Sequence, residues 1–259
     1  TSSSVLGRFS LHTVFKGNPG TGKTTMARLL GQIYNALGIL ERGHLIECSR
    51  QDLVAGFVGQ TAIKTQEVIS RAMGGVLFID EAYSLFSEGG REDFGKEAVE
   101  TILKAMEDNR GKFVVIMAGY TNEMNRLLKM NPGLKSRFDH ELLFEDYNTA
   151  ELVRIAEDML AGEQLKMDQK ARVLIKSLLQ DLQEGKDRFF GNARTVRKLV
   201  EEASRKHHLR IARLSPAKRS RKVVNTITEE DLQNISPDVL ETSDKKIIGF
   251  RRGKGGAES

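Results

Sequence analysis

The chain has 259 residues, of which 39% are hydrophobic and 29% charged, values typical of a soluble globular protein with one or two domains. No apolar run approaches the ~20 residues that a membrane-spanning helix needs, and the first residues lack the pattern of a secretory signal. Cys48 is the only cysteine, which excludes an intramolecular disulfide and favours a reducing compartment. We therefore expect a cytoplasmic protein without membrane contact.

The net charge of +5 is concentrated towards the C-terminus. Residues 205–222 contain eight Lys or Arg and no acid, and residues 245–254 add five more. Such a block can bind nucleic acid or another polyanion non-specifically. It is more often a solvated helix face or a tail, so the sequence alone leaves both interpretations open.

Short apolar runs alternate with amphipathic stretches over the first two thirds of the chain, which predicts a parallel sheet covered by helices. The run that ends at Asp80 is continuously apolar, as in a strand buried on both faces. Strands are predicted at residues 11–16, 44–48, 76–80, 113–118 and 140–144, and helices at 23–37, 61–73 and 92–108.

After residue 147 the pattern changes to consecutive helices. Asn148 and Glu151 have the spacing of a helix N-cap and its reciprocal partner. Further helices are predicted at residues 168–183 and 192–209, with a short one near Leu232. The predicted domains are an α/β domain at 1–147, an all-helical domain at 148–236, and a basic, disordered tail at 237–259.

Residues 17–24 match the phosphate-binding loop pattern G-x-x-x-x-G-K-[ST] throughout. Glycines let such a loop wrap a phosphate chain with its backbone N–H groups, and the following helix adds its positive N-terminus. Lys23 would contact the outer phosphates, and the Thr24 hydroxyl would bind Mg²⁺. The predicted residues for ATP are Gly17, Asn18, Pro19, Gly20, Thr21, Gly22, Lys23 and Thr24.

Two acids follow the buried strand one strand–helix unit after this loop. Asp80 stands at the predicted carboxyl edge of the sheet, where it can hold Mg²⁺ through water. Glu81 is then placed to polarise the attacking water as a general base. An apolar run that ends in Asp-Glu is weak evidence alone, but together with the loop it predicts ATP hydrolysis.

Two arginines narrow the class of phosphate-loop protein. Arg137 lies before the last predicted strand, and Arg194 opens a helix of the second domain. Arg137 is either a surface salt-bridge partner or an arginine finger that reaches the γ-phosphate of a neighbouring subunit. Arg194 could reach back to the nucleotide of its own chain.

The chain resembles the AAA+ ATPases that group the red-type Rubisco activase CbbX with stage V sporulation protein K. The resemblance extends from residue 11 to 232, and Asp-Glu-Ala-Tyr with Ala-Gly-Tyr is specific beyond AAA+ proteins in general. It implies an α/β domain with a helical lid, a hexameric ring, and remodelling of a protein client. The residues that carry it are 14–25, 74–83, 118–120, 131–133 and 191–194.

Further site residues follow from this resemblance. It implies that Arg137 is the finger and Arg194 the second sensor, and that the first sensor follows the strand at 113–118. There Tyr120, Thr121 and Asn122 are available, and we choose Thr121. Phe57, Val58 and Gly59 match the aromatic–aliphatic–glycine loop that lines the central pore of such rings; the alternative for Phe57 is packing onto the next helix.

Related ATPase domains usually carry several tens of residues before the first strand, and these help to enclose the adenine. Only ten precede the first predicted strand, so we expect this sequence to lack the N-terminal front of the domain.

Three functions are compatible with these residues. A protein-remodelling ATPase is favoured over a nucleic-acid motor or loader that uses the basic block, and over a scaffold that binds ATP without turnover.

Overall fold

The structure, a computed structural model, describes residues 11–57, 59–86, 94–184 and 190–235. Val58 and the predicted tail at 237–259 lie outside these described residues. Contacts divide the chain into two compact units. The first comprises the chain as far as Asn148 together with Asn192–Arg194, and the second comprises Thr149–Gly191 and the residues from Thr195 onward.

The first unit contains a five-stranded sheet in which all neighbouring strands are parallel, with the order β2-β3-β4-β1-β5. Because the strands are parallel, their carboxyl ends meet at one edge of the sheet, where the residues that follow them can form a site. The strands are β1 (Thr13–Gly17), β2 (Leu45–Cys48), β3 (Val76–Ile79), β4 (Val114–Gly119) and β5 (His140–Phe144).

Helices connect these strands, and a 3₁₀ turn follows β3. The one-turn helices α2 and α6 were not predicted, because a single turn carries no hydrophobic period. The elements are α1 (Lys23–Ala36), α2 (Arg50–Leu53), α3 (Thr61–Ala72), the 3₁₀ turn (Ala82–Leu85), α4 (Phe94–Asp108), α5 (Thr121–Met130) and α6 (Pro132–Lys135).

Each face of the sheet has its own apolar core, since successive strand residues point to opposite faces. On one face Val14 and Leu77 join a buried cluster with residues of α3, α4 and α5. On the other face Phe15 and Phe78 pack with Ala27 of α1. The predicted class, a phosphate-loop core with a central parallel sheet flanked by helices, is confirmed.

Lys16 is a buried charge in the middle of this sheet, 9% exposed. Its ammonium donates hydrogen bonds to Asn125 of α5 and to the carboxylate of Glu141 on β5. A buried ammonium is tolerated because it is paired and hydrogen-bonded. These contacts hold the strand that precedes the phosphate-binding loop against its neighbours.

In its described residues, the second unit is helical apart from one short parallel strand pair between β6 and β7. Leu152, Ile175 and Leu199 contribute its buried apolar residues. Its elements are α7 (Thr149–Gly162), β6 (Lys166–Met167), α8 (Gln169–Glu184), α9 (Ala193–Arg213), a 3₁₀ turn (Pro216–Lys218), α10 (Arg221–Val224), β7 (Thr226–Ile227) and α11 (Glu229–Leu232).

Part of the basic block is neutralised within this unit. Arg210 donates two hydrogen bonds of 2.8 Å to the buried carboxylate of Asp231, which also caps α11 through Thr228. Arg205 pairs with Glu202. Across the described ranges, no helix is both long and apolar enough to cross a membrane.

Candidate active site

The loop between β1 and α1 closes around the ammonium group of Lys23. This group donates hydrogen bonds to the carbonyl oxygens of Gly17 (2.8 Å) and Asn18 (2.7 Å). The Thr21 hydroxyl donates to the Asn18 carbonyl at 2.8 Å. Gly22 precedes the helix with a φ of 92°, a conformation that glycine adopts without steric cost. These hydrogen bonds hold the glycine-containing loop in a compact turn directly before the helix.

Lys23 also interacts electrostatically with other charged residues of the site. Burial lowers the pKa of its ammonium below the ordinary value, the charge of Asp80 opposes this shift, and the charge of Arg194 adds to it. The structure thus brings Asp80 and Arg194 within electrostatic range of Lys23. An incoming triphosphate would supply the negative charge that favours the ammonium form.

Two residues shortly after the end of β5 form hydrogen bonds with the phosphate-binding loop. The Asn18 amide donates to both carboxylate oxygens of Asp146, at 3.0 and 2.9 Å. The Tyr147 hydroxyl donates to the Thr21 carbonyl at 3.1 Å. Asp146 and Tyr147 were not predicted. Their position immediately after a strand adjacent to β1 is the signal that could have identified them.

Asn192 completes this bracing of the loop. Its amide group donates to Asp146 (2.8 Å) and to the Pro19 carbonyl (3.2 Å), while its side-chain oxygen accepts from the Tyr147 backbone N–H (3.1 Å). The backbone N–H of Ala193 donates to the Gly20 carbonyl at 3.1 Å. The segment that carries Arg194 is therefore hydrogen-bonded directly to the phosphate-binding loop.

The two acids lie at the same edge of the sheet. The Asp80 N–H donates to the Cys48 carbonyl at 2.9 Å and so extends the strand pairing, and Asp80 Oδ1 accepts from the Glu81 N–H at 3.0 Å. Glu81 has a φ of 47° and a ψ of 42°, the left-handed region, which costs about 1–3 kcal/mol for a residue other than glycine. Its side chain is exposed to solvent.

The protein groups that could bind Mg²⁺ suit a metal ion that is bound together with the phosphates of a nucleotide. No group of three or more His, Cys, Asp or Glu side chains among the described residues could hold a metal ion. Mg²⁺ keeps several waters and is usually bound through one or two protein groups and the substrate phosphates. Thr24 at the start of α1 and Asp80 at the end of β3 fit that donor set.

The two predicted arginines occupy different surroundings. Arg194 lies near Lys23, as the effect of its charge on the Lys23 pKa indicates. Arg137 lies beside the C-terminal end of α4, where its guanidinium donates to Glu107 at 2.8 Å and to the Gly133 carbonyl at 3.3 Å. The hydrogen bond from Arg137 holds the pKa of Glu107 below its usual value. In this single chain Arg137 therefore forms a surface ion pair with Glu107, one of the two predicted alternatives for it.

The remaining predicted residues lie in two further places. Thr121 is the first residue of α5, directly after the N-cap Tyr120, and follows the strand next to β3. Phe57 stands between α2 and α3 with 73% of its surface exposed. At Gly59 an added side chain would meet nothing within 4 Å. Val58 lies outside the described residues.

A phosphate-binding loop after β1, an Asp-Glu pair at the end of β3 with only β4 between the two strands, and a helical second unit together define the class of protein. Residues 13–146 match the ATPase family associated with various cellular activities (AAA), and residues 148–242 match the AAA lid domain. The chain belongs to this AAA family of ATPases.

Three curated relatives place it further within the family. The chain is similar to stage V sporulation protein K of Bacillus subtilis (44% identity; 80% of this chain and 64% of that protein). It is also similar to protein CbbX of Cereibacter sphaeroides (40%; 86% and 72%) and to the chloroplastic ribulose bisphosphate carboxylase/oxygenase activase of Cyanidioschyzon merolae (40%; 92% and 78%). The resemblance read from the sequence is confirmed. The chain spans about two thirds to three quarters of these relatives.

Solved structures agree on the fold. The FIGL-1 AAA domain in complex with ADP superposes with a TM-score of 0.61 at 19% identity, over 92% of this chain and 74% of that one. Thermotoga maritima RuvB (P216G mutant) superposes with a TM-score of 0.53 at 20% identity, over 76% and 56%.

Proposed function

We propose that this chain hydrolyses ATP with Mg²⁺ at the carboxyl edge of the sheet, between the residue 17–24 loop and the Asp80–Glu81 pair. The observation that carries the proposal is the partly buried Lys23 ammonium, which donates hydrogen bonds to two loop carbonyls and lies within electrostatic range of Asp80 and Arg194. Such a centre supplies positive charge where the outer phosphates of a nucleotide would lie. Membership of the AAA family supports the same reaction.

Each residue has a separate task in this proposal. The backbone N–H groups of the loop and Lys23 hold the phosphates, while Thr24 and Asp80 would hold Mg²⁺, which polarises the γ-phosphate. Glu81, exposed at the strand end, accepts a proton from the attacking water. Arg194 stabilises the charge that develops on the phosphate oxygens. Thr121, at the start of α5 after β4, contacts the same phosphate group.

The experiment compares two variants with one control. Glu81→Gln is expected to bind ATP but to turn it over at least ~10²-fold more slowly, because a general base contributes at least that factor. Lys23→Ala is expected to lose ATP affinity. Glu67→Gln, an exposed acid on α3, is the matched control and should leave both quantities unchanged. Near-normal turnover by Glu81→Gln would remove Glu81 from its assigned role.

The second part of the proposal is that the chain works in a ring. Arg137 follows α6 at the surface, where the guanidinium is held by Glu107 and the Gly133 carbonyl. An exposed ion pair of this kind is weak, so a γ-phosphate of a neighbouring subunit can replace the carboxylate. An arginine finger supplied in this way contributes ~10³-fold or more in other phosphate-loop enzymes.

Mixing two inactive variants tests whether neighbouring subunits of a ring share one active site. Arg137→Ala and Lys23→Ala subunits should each be inactive, and their mixture should recover activity, because one supplies the site and the other the finger. Arg110→Ala is the matched control, since Arg110 also contacts Glu107, at 3.4 Å. A harmless Arg137→Ala, with specific activity independent of protein concentration, would exclude the ring.

The work done by the ring is proposed to be remodelling of a protein client. Phe57 supports this, because an exposed aromatic ring beside glycines suits a loop that grips a polypeptide. The names of two relatives also concern protein partners or processes, an activase of a carboxylase and a sporulation protein. The nucleic-acid alternative has less support, since two of the eight basic residues of the 205–222 block are held in ion pairs.

A further inference from the structure

Two tyrosine rings meet beside the acids of the candidate active site. Tyr83 belongs to the 3₁₀ turn that begins directly after Glu81, and Tyr120 is the N-cap of α5. Their ring centroids are 5.8 Å apart, with 38° between the ring planes. The turn after β3 and the start of α5 after β4 are therefore joined by side chains as well as by the hydrogen bonds of the adjacent strands.

Gly119 leaves the space that the Tyr83 ring occupies. A methyl group at Gly119 would lie 2.7 Å from Tyr83 Cδ1 and 2.9 Å from Met124 Sδ, closer than non-bonded atoms approach. Gly119 is the last residue of β4, and its φ is not in the left-handed region. Glycine is therefore needed here for space and not for backbone conformation.

The Tyr83 ring also lies close to the acids. Burial is the main cause that raises the pKa of its hydroxyl, followed by the charge of Glu81 and the neighbouring Tyr120. Glu81 lies between the end of β3 and Tyr83 in the chain. Its left-handed backbone conformation is strained and persists only where neighbouring contacts stabilise it. Ala82 and Leu85 of the turn are buried, whereas Tyr83 and Ser84 are half-buried, and of these two Tyr83 makes the ring contact with Tyr120.

We propose that Tyr83 is a positioning residue whose ring, seated on Gly119 and against Tyr120, holds the Glu81 backbone in register with the end of β4. The inference rests on the proposed role of Glu81 in activating water. It assigns no proton transfer to the Tyr83 hydroxyl, because the ring alone makes these contacts. It also explains why the Asp-Glu-Ala-Tyr and Ala-Gly-Tyr segments occur together in one chain: the tyrosine of one fills the space left by the glycine of the other.

Three variants separate the ring from the hydroxyl and from the cavity. Tyr83→Phe retains the ring and should keep kcat within about twofold of the unaltered protein, whereas Tyr83→Ala should lower kcat at least ~10-fold. Gly119→Ala displaces the ring from the other side and should lower kcat by a similar factor. Because the phosphate-binding loop is untouched, the ATP dissociation constant should change by less than about threefold in all three variants. Gly162→Ala, where an added methyl meets nothing within 4 Å, is the control for glycine replacement.

A double-mutant cycle shows whether Gly119→Ala lowers kcat by displacing the Tyr83 ring. If Gly119→Ala acts by displacing the ring, the double variant Tyr83→Ala/Gly119→Ala is no slower than Tyr83→Ala alone. Additive losses would overturn the proposal, because they would place the Gly119 effect on Met124 or on general stability. A Tyr83→Phe variant as slow as Tyr83→Ala would overturn it equally, since the hydroxyl would then be the active group.

The same measurements in a Glu81→Gln background keep this inference distinct from the proposed function. There Tyr83→Ala should cause no further loss of kcat, because the group that it positions is already absent. If Glu81→Gln alone leaves turnover intact, the proposed role of Glu81 fails first. If Glu81→Gln is slow and Tyr83→Ala is normal, only the positioning role of Tyr83 is refuted.

Discussion

Protonation of His12 is expected to destabilise the nucleotide-binding unit at mildly acidic pH. His12 precedes β1 and is partly buried between the rings of Phe113 and Phe138, with centroids 6.2 and 6.0 Å away. Its Nδ1 accepts a hydrogen bond of 2.9 Å from the Val115 backbone N–H, which requires the neutral ring. Burial lowers the pKa of His12 from 6.5 to about 4, against the opposing charge of Asp139.

The sign follows from the two pKa values. Between pH 6.5 and about 4 the unfolded chain binds a proton that the folded chain does not, so the free energy of unfolding falls as the pH falls. One pKa unit corresponds to about 1.4 kcal/mol. Between pH 7.5 and pH 5 the contribution of His12 should therefore decrease by about 2 kcal/mol. The contribution is complete only above about pH 7.5, where the imidazole is neutral in both the folded and the unfolded chain.

Urea unfolding followed by tyrosine fluorescence can measure this change in one unit of the chain. The protein has no tryptophan, and its four tyrosines, Tyr34, Tyr83, Tyr120 and Tyr147, all lie in the first unit. His12→Asn is the comparison, because an amide oxygen can accept the Val115 N–H without titrating in this range. The unaltered protein should lose about 2 kcal/mol more than this variant between pH 7.5 and 5. Equal losses would refute the reasoning.

Three further predictions concern function. Phe57→Ala should change ATP turnover by no more than a few fold yet abolish work on a protein client; a variant that fails to fold would instead assign Phe57 to packing. Asp146→Asn should weaken ATP binding about 3- to 10-fold by loosening the loop at Asn18, whereas the neighbouring exposed acid in Glu145→Gln should have no effect. Addition of DNA or RNA should not stimulate turnover; a strong stimulation that collapses with salt would favour the nucleic-acid alternative and a role for the 205–222 block.

Local sequence patterns were sufficient to predict the strands of the sheet and to select the candidate nucleotide-binding residues. The alternating apolar runs predicted five strands, whose observed limits differ from the predicted ones by at most two residues. The glycine pattern of residues 17–24 and the acids after β3 have fixed chemical spacing, because one loop and one strand end must present those groups to the same phosphate chain. These predictions need no knowledge of which distant segments meet.

The contacts between distant segments were decided by the tertiary structure. Asp146 and Tyr147 brace a loop that lies more than 120 residues earlier, and Asn192 reaches the same loop from still further along the chain. The strand order places β5 beside β1, and no local period encodes that order. The pairing of Tyr83 with Gly119 has the same origin, since each residue is unremarkable within its own segment and the two meet only because β3 and β4 are neighbours in the sheet.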